Sequence, residues 1–142
     1  MIEEDVRAYA NLIWKVNNMT RQKLFSYTIK YFNLNNRSVH PNGKGLYSGK
    51  GCAIGKHIKD KQLCSKLDTI ICSGLTESDI YRRLPTNLQK LGQDFLIDIQ
   101  MLHDNRDNWT ISGLSRSGIR KSVLIAQEYN LICPNFKVNA KK

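Results

Sequence analysis

Residues 43–57, GKGLYSGKGCAIGKH, hold the densest group of residue types that could do chemistry. Glycines at 43, 45, 49, 51 and 55 allow positive φ and close backbone approach. Successive free N–H groups at such bends make an anion-binding concavity, and Lys44, Lys50 and Lys56 stand beside them as countercharges. The segment is not a Walker loop, because Gly51 and Gly55 are separated by three residues and Lys56 is followed by His57. Phosphate binding is therefore expected here, and ATP hydrolysis is disfavoured. The plain alternative is a Gly-rich turn.

A second cluster, Gln100, His103, Asp104 and Asp107, closes the strongest helical pattern of the chain, with Trp109 just beyond. A histidine beside carboxylates can act as a general base. No nucleophile accompanies it: Ser112, Ser115 and Ser117 stand in turn and cap contexts. The favoured reading has His103 and Asp104 tying down a helix end. Zinc is disfavoured, because His40, Cys52, His57, Cys64, Cys72 and His103 offer no C-x₂₋₄-C or H-x₃₋₅-H pair. Arg116, Arg120 and Lys121 open the last helix, where recognition residues of a helix-turn-helix would lie. The preceding helix ends about a dozen residues earlier, too far for the usual tight turn of about three or four. The same arginines suit a small phosphate ligand.

The charge balance points the same way. The 142-residue chain carries 22 Lys and Arg against 12 Asp and Glu, a formal +10. Residues 37–66 hold seven basic side chains against Asp60, and the chain from Leu114 onward holds six against Glu128. Such segregation favours an anionic partner, although basic runs also serve as solvated faces. No apolar run reaches the ~18–20 residues of a membrane span. The acidic start MIEEDVRAYANLIW lacks the basic n-region of a secretory signal. A cytoplasmic protein with reduced thiols is expected, with Cys52, Cys64, Cys72 and Cys133 as core or subsurface residues.

The elements that must position these groups read as helices. Val6, Ala10 and Ile13 mark a helix over 3–17, and Thr20 caps a second through Phe32 with Leu24, Phe25, Thr28 and Phe32 inward. Residues 33–51 form a long Gly-rich loop, with a short hairpin about Leu46 and Tyr47. A short helix is expected from Cys52 to about Lys59, an apolar patch over 61–73, and a turn capped by Thr76 through Arg83. After Pro85, Thr86 and Gln89 have capping-box form, and Leu88, Leu91, Phe95, Ile99 and Leu102 keep helical spacing to His103–Asn105. Ser115 caps a last helix with Ile119, Val123, Ala126 and Asn130 inward, and the basic tail 134–142 frays. The fold class is thus mainly α: one compact helical domain over 1–142, with a Gly-rich loop or short β-hairpin around 42–51.

The order Tyr47, Gly51-Cys52-Ala53-Ile54-Gly55, Leu84-Pro85, Phe95-Leu96, Gln100, Leu102-His103-Asp104, Asn108-Trp109 and Gly113-Leu114-Ser115 resembles a family of small phage and prophage proteins of unassigned activity. The resemblance covers about half the chain, residues 47–115. It implies an antagonist of host defence: a sponge for a cyclic nucleotide or ADP-ribose-derived immune signal, a blocker of a defence nuclease, or a nucleic-acid binder. Together with charge and glycine spacing, this gives a non-enzymatic binding protein for a phosphate-bearing nucleotide. Its site would use Lys44, Lys50, Gly51, Lys56, His57, His103, Arg116 and Arg120, with Tyr47 or Trp109 stacked on the base. A homo-oligomer could share that site, and neither metal nor cofactor is expected. The alternatives are a basic nucleic-acid-binding protein, an inhibitor binding an acidic host protein directly, and an enzyme built on His103 and Asp104.

Overall fold

The computed structural model describes residues 19–41, 43–49, 51–72 and 77–134, with the backbone alone at 70–72 and 77–78. The expected helix over 3–17, Thr76, Lys50 and the tail from 135 onward lie outside the described residues.

The fold is mainly α. Helix α1 spans Arg21–Tyr31, and the Thr20 side chain accepts from Lys23 N as its N-cap. It buries Leu24, Phe25, Thr28 and Ile29. An asparagine network ends it: Asn33 Oδ1 accepts from the backbone N–H of Asn35 and Asn36, and Asn36 Nδ2 donates to Tyr31 O. The Gly-rich loop follows, closed by one antiparallel bridge between Val39 and Gly45. In place of the expected short helix at 52–59 there is a 3₁₀ turn, Gly55–His57. The apolar patch beyond it is a full helix, α2, Lys61–Cys72.

Helix α3 is Glu77–Tyr81, α4 is Thr86–Gln89 and α5 is Gln93–Asp104. The expected single helix after Pro85 is therefore broken. Gly92 takes φ +95, which interrupts the helix, and Arg21 bridges the break by donating from Nε to Leu91 O at 2.7 Å. The capping box does not form either. Pro85 is the N-cap of α4 without a side-chain bond, and Gln89 Nε2 donates instead to the carbonyls of Arg82 and Leu84. Leu88, Leu91, Phe95, Ile99 and Leu102 are all buried as expected.

A 3₁₀ turn at Arg106–Asn108 leads into a two-stranded antiparallel sheet, β1 (Trp109–Thr110) and β2 (Gly113–Leu114). Helix α6, Arg116–Glu128, starts at Ser115, whose side chain accepts from Gly118 N. Its buried face is Gly118, Ser122, Ile125 and Ala126, rotated from the expected stripe, and Val123 and Leu124 are exposed. The rotation follows from Gly118: a Cβ there would collide with Asn108 O and Leu114 Cδ2, so the helix rests on the 108–114 hairpin through its smallest residues. Past the helix, Gln22 clasps the returning chain, donating from Nε2 to Ile132 O at 2.9 Å and accepting Ile132 N–H at 2.8 Å.

Candidate functional site

The Gly-rich loop makes an anion cradle, and the chain fills it. The backbone N–H of Tyr47 donates to Asp68 Oδ1 at 2.6 Å and that of Ser48 to Oδ2 at 3.2 Å; the Ser48 hydroxyl joins the same carboxylate. Other loop N–H groups are engaged as well: Gly43 donates to His40 O, Gly51 to Ser48 O and Cys52 to Leu46 O. The glycines serve approach within the fold. A Cβ on Gly55 would stand 2.6 Å from Tyr47 Cα, and one on Gly51 2.9 Å from Lys56 N. The anion at this loop is thus Asp68, and a bound phosphate would have to displace it.

The two rings expected to stack are core residues. Tyr47 is 2% exposed and Trp109 4%. The Trp109 indole N–H donates to the carbonyls of Leu102 and His103, which leaves no ring face for a base. His103 is fully buried with Phe32 packed edge-on at 4.6 Å. Its Nδ1 lies 2.7 Å from Asp104 Oδ1, which also accepts from Gln100 Nε2 at 2.8 Å. Arg37 donates to the carbonyls of His103 and Asp104, where a cation complements the C-terminal end of the helix dipole. This network ties down the end of α5. His103 Nε2, Gln100 Oε1 and Asn108 Oδ1 are buried without a hydrogen-bond partner.

Lys56 and His57 occupy a different setting. On α1, Tyr27 and Tyr31 stand at i, i+4 and stack with centroids 5.1 Å apart and rings inclined by 19°. Tyr31 is 37% exposed. Lys56 Nζ lies 4.1 Å from the Tyr31 centroid and 2.7 Å from its hydroxyl. His57 meets the Tyr27 ring edge-on at 4.7 Å. Burial, reinforced by the neighbouring Lys56 charge, holds the His57 pKa down at about 4, so the imidazole is neutral at pH 7. Exposed Lys30 and Lys59 are sequence neighbours of this surface. Aromatic faces beside ammonium groups are what base stacking and phosphate contact require.

Lys44 is exposed at the loop tip, and Arg116 and Arg120 are exposed on the first turns of α6. The loop and the last helix do approach, through Gly43 and Lys121, which line one groove of about 480 Å³. The predicted residues therefore divide among a surface (Lys56, His57), a core network (Tyr47, His103, Trp109) and separate exposed cations (Lys44, Arg116, Arg120). Sequence reasoning missed Tyr27, Tyr31, Asp68 and Arg37. The tyrosines left a signal, since they stand outside the inward stripe of α1. Asp68 and Arg37 act across 20 or more residues and left none.

Among the described residues no group of three or more His, Cys, Asp or Glu side chains could hold a metal ion, and no helix is long and apolar enough to cross a membrane. Compared with protein families, with curated proteins and with solved structures, the chain matches none.

Proposed function

We propose that the protein is a non-enzymatic binding protein for a phosphate-bearing nucleotide. The base would take the place of the Lys56 ammonium over the exposed part of the Tyr31 ring, on the side away from Tyr27, and Lys56 would turn to the phosphate. The observation that carries this reading is the stacked Tyr27–Tyr31 pair with the Lys56 ammonium 4.1 Å from the outer ring. A formal charge of +10 supports it by drawing anions to the surface. The surface replaces Tyr47 and Trp109 as the stacking element and keeps Lys56 and His57. A phage-encoded sponge that sequesters a cyclic nucleotide or ADP-ribose-derived immune signal is the biological role this reading serves.

Titration calorimetry with cyclic dinucleotides, cyclic mononucleotides and ADP-ribose tests it. A base–aromatic stack contributes about 1–3 kcal/mol, so Tyr31→Ala is expected to weaken binding roughly 5- to 150-fold. Lys56→Ala should weaken binding of the phosphate-bearing ligand and leave the bare nucleoside unchanged. Equal affinities in both variants and the parent would sink the assignment. A nucleic-acid binder is the second reading, favoured by the separate exposed cations Lys44, Arg116 and Arg120. Affinity for a polymer would then fall steeply with salt, with a slope set by the number of phosphates contacted.

A further inference from the structure

A groove runs between α5 and α6, and its lining differs in charge from the basic chain as a whole. Asp98, Met101, Leu102 and Asp104 of α5 and the C-cap Asn105 line one wall; Lys121, Leu124, Ile125 and Glu128 of α6 line the other. The α6 set follows i, i+3, i+4, i+7, the spacing of a helix face that packs along another helix, and Asp98, Met101 and Leu102 continue it at i, i+3, i+4 on α5. Leu102 and Ile125, both buried, make the floor. Met101 is 61% and Leu124 63% exposed, the two ridges left uncovered. At about 480 Å³ the groove falls within the usual range of ~300–1,000 Å³ for binding pockets.

Its lining carries Asp98, Asp104 and Glu128 against Lys121, with Arg37 beside Asp104, in a chain of formal charge +10. Two of these carboxylates are held in place. Asp98 Oδ2 accepts from the Tyr129 hydroxyl at 2.7 Å, and Asp104 Oδ1 accepts from Gln100 Nε2 at 2.8 Å. A nucleotide phosphate would be repelled here. Two apolar ridges flanking a buried trough with an acidic rim fit a third helix, whose apolar side chains enter the trough while Lys or Arg side chains reach the rim.

We propose that the α5–α6 groove is a docking surface for a cationic amphipathic helix of a partner protein. Two turns of that helix, on the order of 10 Å at 1.5 Å per residue, match the seven-residue span on each wall. The experiment uses the full chain and two fluorescein-labelled 15-residue Ala/Leu helices, identical except for Lys or Glu flanking the Leu stripe, read by fluorescence anisotropy. The Lys peptide is expected to bind saturably and the Glu peptide at least tenfold more weakly. Met101→Gln with Leu124→Gln should weaken the Lys peptide at least tenfold, with the thermal melt unchanged because both side chains are already largely in water. Glu128→Lys should reduce the preference for Lys over Glu. No saturable binding, equal binding of both peptides, or binding indifferent to the double variant would overturn the proposal. So would a concentration-dependent dimer in sedimentation velocity that the double variant abolishes, because the occupant would then be a second copy of this chain.

Discussion

His57 shows how a residue chosen for its charge serves in its neutral form. Its local setting beside Gly55 and Lys56, legible in the sequence, suggested a phosphate contact. Burial against Tyr27, a packing partner 30 positions away in the chain, was not legible there. Because its folded pKa is about 4 and the unfolded value about 6.5, the unfolded state binds more protons between these two pH values. Its stabilising contribution is full above pH 6.5 and is lost as pH falls toward 4. We expect His57→Gln to flatten the pH dependence of unfolding free energy between pH 6.5 and 4 by about 1–3 kcal/mol, measured by urea titration at both ends. An unchanged slope would contradict the assignment. Cys52 illustrates the same principle for a thiol: burial pushes its pKa up to about 12, so little thiolate forms at neutral pH. Thiol reagents at pH 7.5 should label the half-buried Cys133 well before Cys52, as mass mapping of labelled peptides will show.

At the scale of elements, signals that act within one turn were readable and those that act across the chain were not. Thr20 and Ser115 cap as their types require. Ser115→Ala should cost about 1 kcal/mol. The break at Gly92 escaped the pattern because Leu88, Leu91 and Phe95 are buried on both sides of it, so the helical period continues through a change of axis. The face of α6 escaped for a related reason: hydrophobic spacing favoured Ile119 and Val123, whereas the contact is decided by Gly118 and Ser122. This yields an inverted expectation. Gly→Ala inside a helix ordinarily stabilises by about 1 kcal/mol, but the Asn108 carbonyl occupies the space a Cβ needs at Gly118. Gly118→Ala is expected to destabilise by about 1–3 kcal/mol, and a raised melting temperature would contradict that contact.

For the whole molecule, the mainly α class and the part of the core on α1 and between Leu88 and Leu102 followed from periodicity, but the placement of chemistry did not. Tyr47 and Trp109 looked like surface rings because glycine, asparagine and serine surround them in sequence, and tertiary contacts bury both. Many residues of the phage-type pattern, including Cys52, Ala53, Ile54, Leu84, Phe95, Leu96, Leu102 and His103, are buried. In this molecule that pattern describes packing. Asp68 adds a long-range dependence: α2 holds the Gly-rich loop through one carboxylate. Asp68→Ala should expose Tyr47 N–H and Ser48 N–H, lower stability by about 1–3 kcal/mol and speed proteolytic cleavage within 43–51. Cleavage at the parent's rate would show that the loop holds itself.

The Gln22 clasp on Ile132 joins positions 110 residues apart in the chain. Closing a loop of that length costs about 4 kcal/mol of chain entropy by the (3/2)RT ln n rule, more than two exposed hydrogen bonds return at about 1 kcal/mol each. The clasp can therefore close only after the helices between have brought its halves together. It should be among the last contacts made in refolding and among the first to open in the native state. In hydrogen exchange, the Ile132 amide would then report a local opening far cheaper than global unfolding, while the Leu96 amide at the start of α5 would keep pace with the whole fold.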